Sequence, residues 1–215
     1  MGKNKVGKLF LASMTIMLCI VALIAGTYAL WTDSVTVSNH LEAGTLSLKL
    51  ERVGLTKVVL DSDGYLTEQT FTEEEAYADL TDASEVNVFG IEANEKIVPG
   101  ASYQATLVLS QGEDNAVAFT YRVIVKLNGE SNALAKQMQV FVGTDGGELE
   151  VKGTLADYGS EDGGVIVSAQ TMAKTDSAKT ITVKIAFVDQ TDNNLAKNQT
   201  VDFDLMIEAE QKTNA

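Results

Sequence analysis

Val117-Ala118-Phe119-Thr120-Tyr121-Arg122-Val123-Ile124-Val125-Lys126-Leu127 decides the fold class. In an extended chain Val117, Phe119, Tyr121, Val123, Val125 and Leu127 share one face, and Ala118, Thr120, Arg122, Ile124 and Lys126 the other. Alternation with period two marks a strand with one side buried. Burying six such side chains is worth on the order of 10–15 kcal/mol. Fixing the eleven backbones costs about 1–2 kcal/mol each. A strand of this kind gains little until a second apolar layer closes over it.

The same alternation recurs along the chain. Leu46, Leu48 and Leu50 show it, as do Tyr103, Ala105, Leu107 and Leu109. Ile181, Val183, Ile185 and Phe187 form another set, and Val201, Phe203, Leu205 and Ile207 the last. Shorter candidates are Thr56–Leu60, Gln139–Val142, Leu149–Lys152 and Val165–Ser168. Between them stand Asp61-Ser62-Asp63-Gly64, Thr144-Asp145-Gly146-Gly147, Gly159–Gly164 and Asp192-Asn193-Asn194, residues that turns favour. Thr72-Glu73-Glu74-Glu75 fits a capping box opening a helix to about Leu80, and Ser131–Lys136 fits a second short helix. Eight or nine antiparallel strands, each with one buried face, predict an all-β fold, an antiparallel β-sandwich with one or two short helices. Parallel sheets would need regular crossover helices, which the pattern does not supply.

The 215 residues carry 30 acidic and 16 basic side chains, a formal charge of −14. That sign repels phosphate backbones, and no basic patch offsets it, so no nucleic-acid partner is expected. The first 29 residues differ from the rest. Lys3, Lys5 and Lys8 precede the apolar run Leu9–Ala25, and Gly26-Thr27-Tyr28-Ala29 closes it with small residues. This is the anatomy of a secretory signal peptide spanning 1–29, cut between Ala29 and Leu30. An uncleaved anchor is the alternative, since Leu9–Ala29 is just long enough to span a bilayer. Cleavage removes three lysines and no acid, taking −14 to −17, and removes Cys19, the chain's one cysteine. Residues 30–215 are then a cysteine-free single domain, secreted, in contact with the membrane only before cleavage.

Candidate chemistry is sparse. One histidine, His40, excludes paired-histidine zinc motifs. Asp61-x-Asp63-Gly64 resembles part of a calcium loop. Aligned on Gly64, however, the loop has Val59 and Thr70 where its first and last ligands belong, which favours a hairpin turn. Carboxylates are dense from Glu68 to Glu95, with Glu73, Glu74, Glu75, Asp79, Asp82, Glu85 and Glu92 between. Paired acids hydrolyse glycosides only in a cleft that separates their protonation states, and density alone favours a solvated face. Asn198-Gln199-Thr200 matches a glycosylation acceptor, a pattern of low specificity. No catalytic residue, metal ligand or cofactor is assigned.

Thr27-Tyr28-Ala29-Leu30-Trp31-Thr32-Asp33-Ser34 resembles the signature of substrates of the SipW-type signal peptidase of Gram-positive bacteria. Leu41-Glu42-Ala43-Gly44-Thr45-Leu46-Ser47-Leu48 resembles the first strand of the TasA/camelysin family. Ile97-Val98-Pro99-Gly100 with Tyr103–Leu109, and Gln199–Gln211, are similar to that family's Pro-Gly turn and closing strand. The chain departs from the pattern at Ala101, where the family often has Asp, and at Gln111–Asn115, which replaces an Asn-x-Gly-Ser turn.

The resemblance implies a jelly-roll-like sandwich, exported with the help of a SipW-type peptidase. It also implies a structural protein of the biofilm matrix or cell surface that forms fibres, with or without an accessory matrix protein. In such fibres the freed N-terminal segment of one subunit adds as a strand to the next. Residues 30–41, with Trp31, Val35 and Val37, are the candidate donor strand; a frayed tail is the alternative. Head-to-tail donation does not close on itself and so yields filaments. Two other functions compete: a camelysin-like metalloendopeptidase, disfavoured by the absence of His-Glu-x-x-His, and a monomeric adhesin.

Overall fold

The computed structural model describes residues 48–81, 87–91, 97–112 and 118–211, all within one compact unit. The expected antiparallel β-sandwich is what they form. Ten strands follow in order: β1 (Leu48–Leu60), β2 (Leu66–Thr70), β3 (Ala78–Asp79), β4 (Ser102–Gln111), β5 (Phe119–Asn128), β6 (Met138–Thr144), β7 (Glu150–Thr154), β8 (Gly164–Met172), β9 (Lys179–Phe187) and β10 (Asp202–Gln211). Every pairing is antiparallel.

The two sheets are unequal. Seven strands make a wide sheet, ordered β2-β1-β4-β9-β6-β7 with β3 also on β1, and three make a narrow one, β10-β5-β8. From β4 onward the chain passes repeatedly between them. Tyr103, Ala105, Leu107 and Leu109 of β4 and Ile181, Val183 and Ile185 of β9 form one side of a single core. Phe119, Tyr121, Val123, Val125 and Leu127 of β5 form the other, as their alternation predicts. Val117 lies outside the described residues.

Leu46–Leu50 and Thr56–Leu60 look like separate strands in the sequence because the apolar alternation breaks between them, across Glu51–Gly54. In the structure the described part of both is one strand of 13 residues. Val53 is an extra residue between Arg52, opposite Leu107, and Gly54, opposite Thr106. This bulge shifts the parity, so Leu50 and Leu55 both face the core side.

The helix expected from Thr72 to about Leu80 is only Glu73–Ala76, here α1. Its capping box is present: the Thr72 hydroxyl accepts from the Glu75 N–H while Glu75 Oε2 accepts from the Thr72 N–H at 3.0 Å. It stops because the following residues are claimed by β1. Ala78 and Asp79 pair with Arg52 and Glu51, and Arg52 Nε takes the Ala76 carbonyl at 2.6 Å. The second helix, α2, runs Ala133–Gln137 from an Asn132 cap, slightly later than its sequence signal.

The narrow sheet does not cover the whole wide sheet. On the inner face of β1, Arg52 and Lys57 are buried where apolar residues would ordinarily stand. Residues 87–91 lie across them. Arg52 Nη1 donates to the carbonyls of Asn87 and Val88 at 2.8 and 3.1 Å, and Lys57 Nζ donates to that of Gly90. The Lys57 ammonium also sits 5.7 Å from the centre of the Phe71 ring. Gly90 has φ 62°, and a Cβ there would meet Leu55 at 2.9 Å, so the close approach requires glycine. Buried cations are tolerated when their donors are satisfied, and main-chain carbonyls do that here.

Arg52→Ala leaves three carbonyls without their donor and should lower stability by about 2–4 kcal/mol. Denaturant unfolding checks this, and an unchanged midpoint would refute the anchoring role.

Candidate functional site

The feature of the described fold most able to bind another chain is the free side of β10. Ten consecutive pairs, Asp202↔Asn128 to Gln211↔Phe119, join β10 to β5 without a register shift. Among the described residues nothing pairs with its other side. An unpaired edge presents a row of main-chain donors and acceptors ready for another strand.

Its apolar face is incompletely covered. On β5 the inward residues Phe119, Tyr121, Val123, Val125 and Leu127 are all between 0% and 3% exposed. On β10 only Ile207 counts as buried; Phe203, Leu205 and Ala209 pack on the core yet stay half-buried. Phe203 meets Phe89, the rings 5.8 Å apart and tilted by 52°. Phe89 belongs to the segment that Arg52 and Lys57 anchor, so the two buried cations help support the floor beside β10.

The outward face of β10 is acidic: Asp202, Asp204, Glu208 and Glu210 alternate with the apolar set, broken by Met206. Arg122 of β5 grips Glu208 through Nε at 2.6 Å and Nη2 at 2.5 Å. Lys126 stands opposite Asp204 in register.

Other edges are poorer templates. β2 and β7 have five residues each; β2 is exposed at every position, and β7 carries a register shift against β6. β8 has no charged residue, but its pairing with β5 shifts twice, and Gln111 Nε2 caps the chain just past it at the Ala173 carbonyl. Bulges of this kind twist an edge away from further pairing.

The acidic motifs resolve into local structure. Asp61 closes the β1–β2 hairpin: Oδ1 accepts from the N–H groups of Tyr65 and Asp63 at 2.8 and 3.0 Å, and Oδ2 from the Thr67 hydroxyl at 2.9 Å. Those bonds, led by that from Tyr65, hold its pKa below the usual aspartate value. Its lone pairs serve the turn, as the hairpin reading of Asp61–Gly64 anticipates. The Thr72 backbone and hydroxyl lower Glu75, and the Thr81 hydroxyl and backbone lower Asp79. The Tyr77 hydroxyl, 2.7 Å away, and then Lys49 lower Glu51. These shifts favour the ionised form, the direction opposite to a proton donor poised for neutral pH. Asp82, Glu85, Glu92 and Glu95 lie outside the described residues. Among the described residues no three of His, Cys, Asp and Glu are grouped to hold a metal ion.

Asn198 is exposed in a left-handed turn, φ 60°, four residues before β10. The cleavage residues Ala29 and Leu30, the donor residues Trp31, Val35 and Val37, and His40 lie outside the described residues. The β10 edge could have been suspected from Val201–Ile207, but its isolation depends on which strands pair. The supporting cations could not: Arg52 continues the Leu48, Leu50 alternation as though it were an interruption of it. No protein-family model, no curated protein and no solved structure matches the chain.

Proposed function

We propose that the chain is a secreted structural protein of the extracellular matrix or cell surface that polymerises by strand donation. Export ends with cleavage between Ala29 and Leu30 by a SipW-type signal peptidase, and residues 30–41 of one subunit then add to a sheet edge of another. The observation carrying this is the ten-residue regular edge of β10 with its half-buried Phe203, Leu205 and Ala209. The resemblance of Thr27–Ser34 and Leu41–Leu48 to the TasA/camelysin family supports it independently.

Backbone hydrogen bonds would supply affinity, and alternating side chains would fix register. Trp31, Val35, Val37 and Leu41 share one parity in the donor with Asp33 and Asn39, so its apolar face is interrupted twice where Phe203, Leu205, Ile207 and Ala209 of β10 run without a break. Self-association is therefore the principal interaction, and no catalytic chemistry is assigned.

The chain beginning at Leu30 should form fibres visible by electron microscopy. Assembly should quicken with added salt or as pH falls into the range where carboxylates protonate, because both weaken repulsion between subunits of charge −17. Monomers alone, at every pH and concentration, would overturn the proposal.

A further inference from the structure

Asn128-Gly129 is the one place in the chain where asparagine precedes glycine. An asparagine carboxamide is open to attack by the main-chain nitrogen of the next residue, which a side chain on that residue hinders and glycine does not. Asn128 is the last residue of β5 and is exposed. Gly129 is exposed too, with φ 86° and open space where a Cβ would stand. Strand β8 leaves β5 at Val125↔Gly164, so Asn128 pairs with one neighbour alone, Asp202, itself the first residue of β10. Among the described residues no partner bonds the Asn128 carboxamide or the Gly129 N–H.

We propose that Asn128 is a site of spontaneous deamidation, which sets a carboxylate opposite Asp202 at the start of β10. The Gly129 nitrogen yields its proton to solvent and bonds to the carboxamide carbon of Asn128. The bond from that carbon to the amide nitrogen breaks, and ammonia leaves with a proton returned from solvent. Water then opens the cyclic imide at either of its carbonyls. One opening gives aspartate; the other gives isoaspartate, whose main chain runs through the side-chain carbon. Only water is consumed. Asn128 must leave its extended conformation for the attack, but at this end of β5 that breaks only the pair with Asp202. Strand ends open at close to zero cost.

Comparable positions are restrained. Asn132 is tied at both ends, Oδ1 accepting from the Ala135 N–H at 2.9 Å and Nδ2 donating to the Thr200 carbonyl at 2.7 Å. Asn194 and Asn198 are exposed, but Leu195 and Gln199 follow them. The Asp-Gly pairs could form the same imide. The N–H groups of Gly64 and Gly163 are however bonded to the Asp61 and Ser160 carbonyls at 3.1 and 3.0 Å. The Asp145 carboxylate accepts from the Thr180 N–H at 3.2 Å and Lys179 Nζ at 3.3 Å. The consequence falls on β10, whether or not strands are donated to it. Like charges directly opposite each other weaken a strand pair, so conversion loosens the first residues of β10.

The test is peptide mass mapping of the chain beginning at Leu30 after incubation in mildly alkaline buffer, with isoaspartate labelled by an isoaspartyl methyltransferase. The peptide holding Asn128 should show the mass gain of amide to acid well before those holding Asn194 or Asn198. Its rate in the folded chain should lie within about tenfold of that in an isolated peptide of residues 124–133. Asn128→Gln should remove the label. Asn128→Asp should speed amide exchange at Asp202 and Phe203 and leave Ile207 as it was. A folded-chain rate more than about tenfold below the peptide's, equal conversion at Asn194 or Asn198, or a label undiminished in Asn128→Gln would overturn the site. Unaltered exchange in Asn128→Asp would overturn its effect on β10.

Discussion

Removal of residues 30–41 should leave a folded monomer that forms no fibres at concentrations where the chain beginning at Leu30 does. The whole described core, from Leu48 of β1 to Ile207 of β10, lies beyond the deleted stretch. Its unfolding midpoint should change little. On the strand-donation proposal, assembly would lose the donor's backbone bonds and the burial of Trp31, Val35, Val37 and Leu41 together. Large apolar side chains each contribute about 1.5–3 kcal/mol when fully buried. Added at excess, a peptide of residues 30–41 should bind the shortened chain and block growth of native fibres. Fibres from the shortened chain would show that another element joins the subunits.

Leu205→Lys should abolish assembly while sparing the fold. In the monomer Leu205 is only half-buried beside the free edge, so a lysine stem can lie along the apolar face with its ammonium in water. A donor strand laid over that position would trap the charge. Burying an unpaired charge costs about 3 kcal/mol or more, which raises the critical concentration more than about a hundredfold. The same change at Val123, buried at the centre of β5, should instead unfold the domain. Sedimentation and thermal unfolding separate the two effects. A Leu205→Lys chain that assembles normally would place the acceptor on another edge.

Much of the sandwich was legible before its structure. The run Phe119–Leu127 alternates without interruption because both its neighbours, β8 and β10, lie in one sheet against one core. Its outward Ile124 is nonetheless buried at 3% exposure, flanked in register by Met206 and Val165. Period two reports which face a residue takes, not whether outward neighbours shield it. Leu66–Thr70 carries no alternation because both faces of β2 are exposed. Pairing with β1 alone makes it a strand.

The division of ten strands into seven and three was not legible, because partner choice depends on contacts distant in sequence. β1 meets β4 and β4 meets β9 across intervals that local pattern does not encode. Nor was the support beneath β10 visible. Arg52 and Lys57 look like solvated positions until the carbonyls of Ala76, Asn87, Val88 and Gly90 are placed on them. Phe89 stands among Val86, Val88 and Ile91 in a stretch too short and irregular to give a periodic signal, and becomes meaningful only against Phe203.

Amide hydrogen exchange along β10, compared between monomer and fibre, tests strand addition at its source. Alternate N–H groups of Asp202–Gln211 that face away from β5 should exchange fast in the monomer and become strongly protected in the fibre. Protection appearing instead along β2, β7 or β8, with the outer amides of β10 still fast, would contradict β10 as the acceptor.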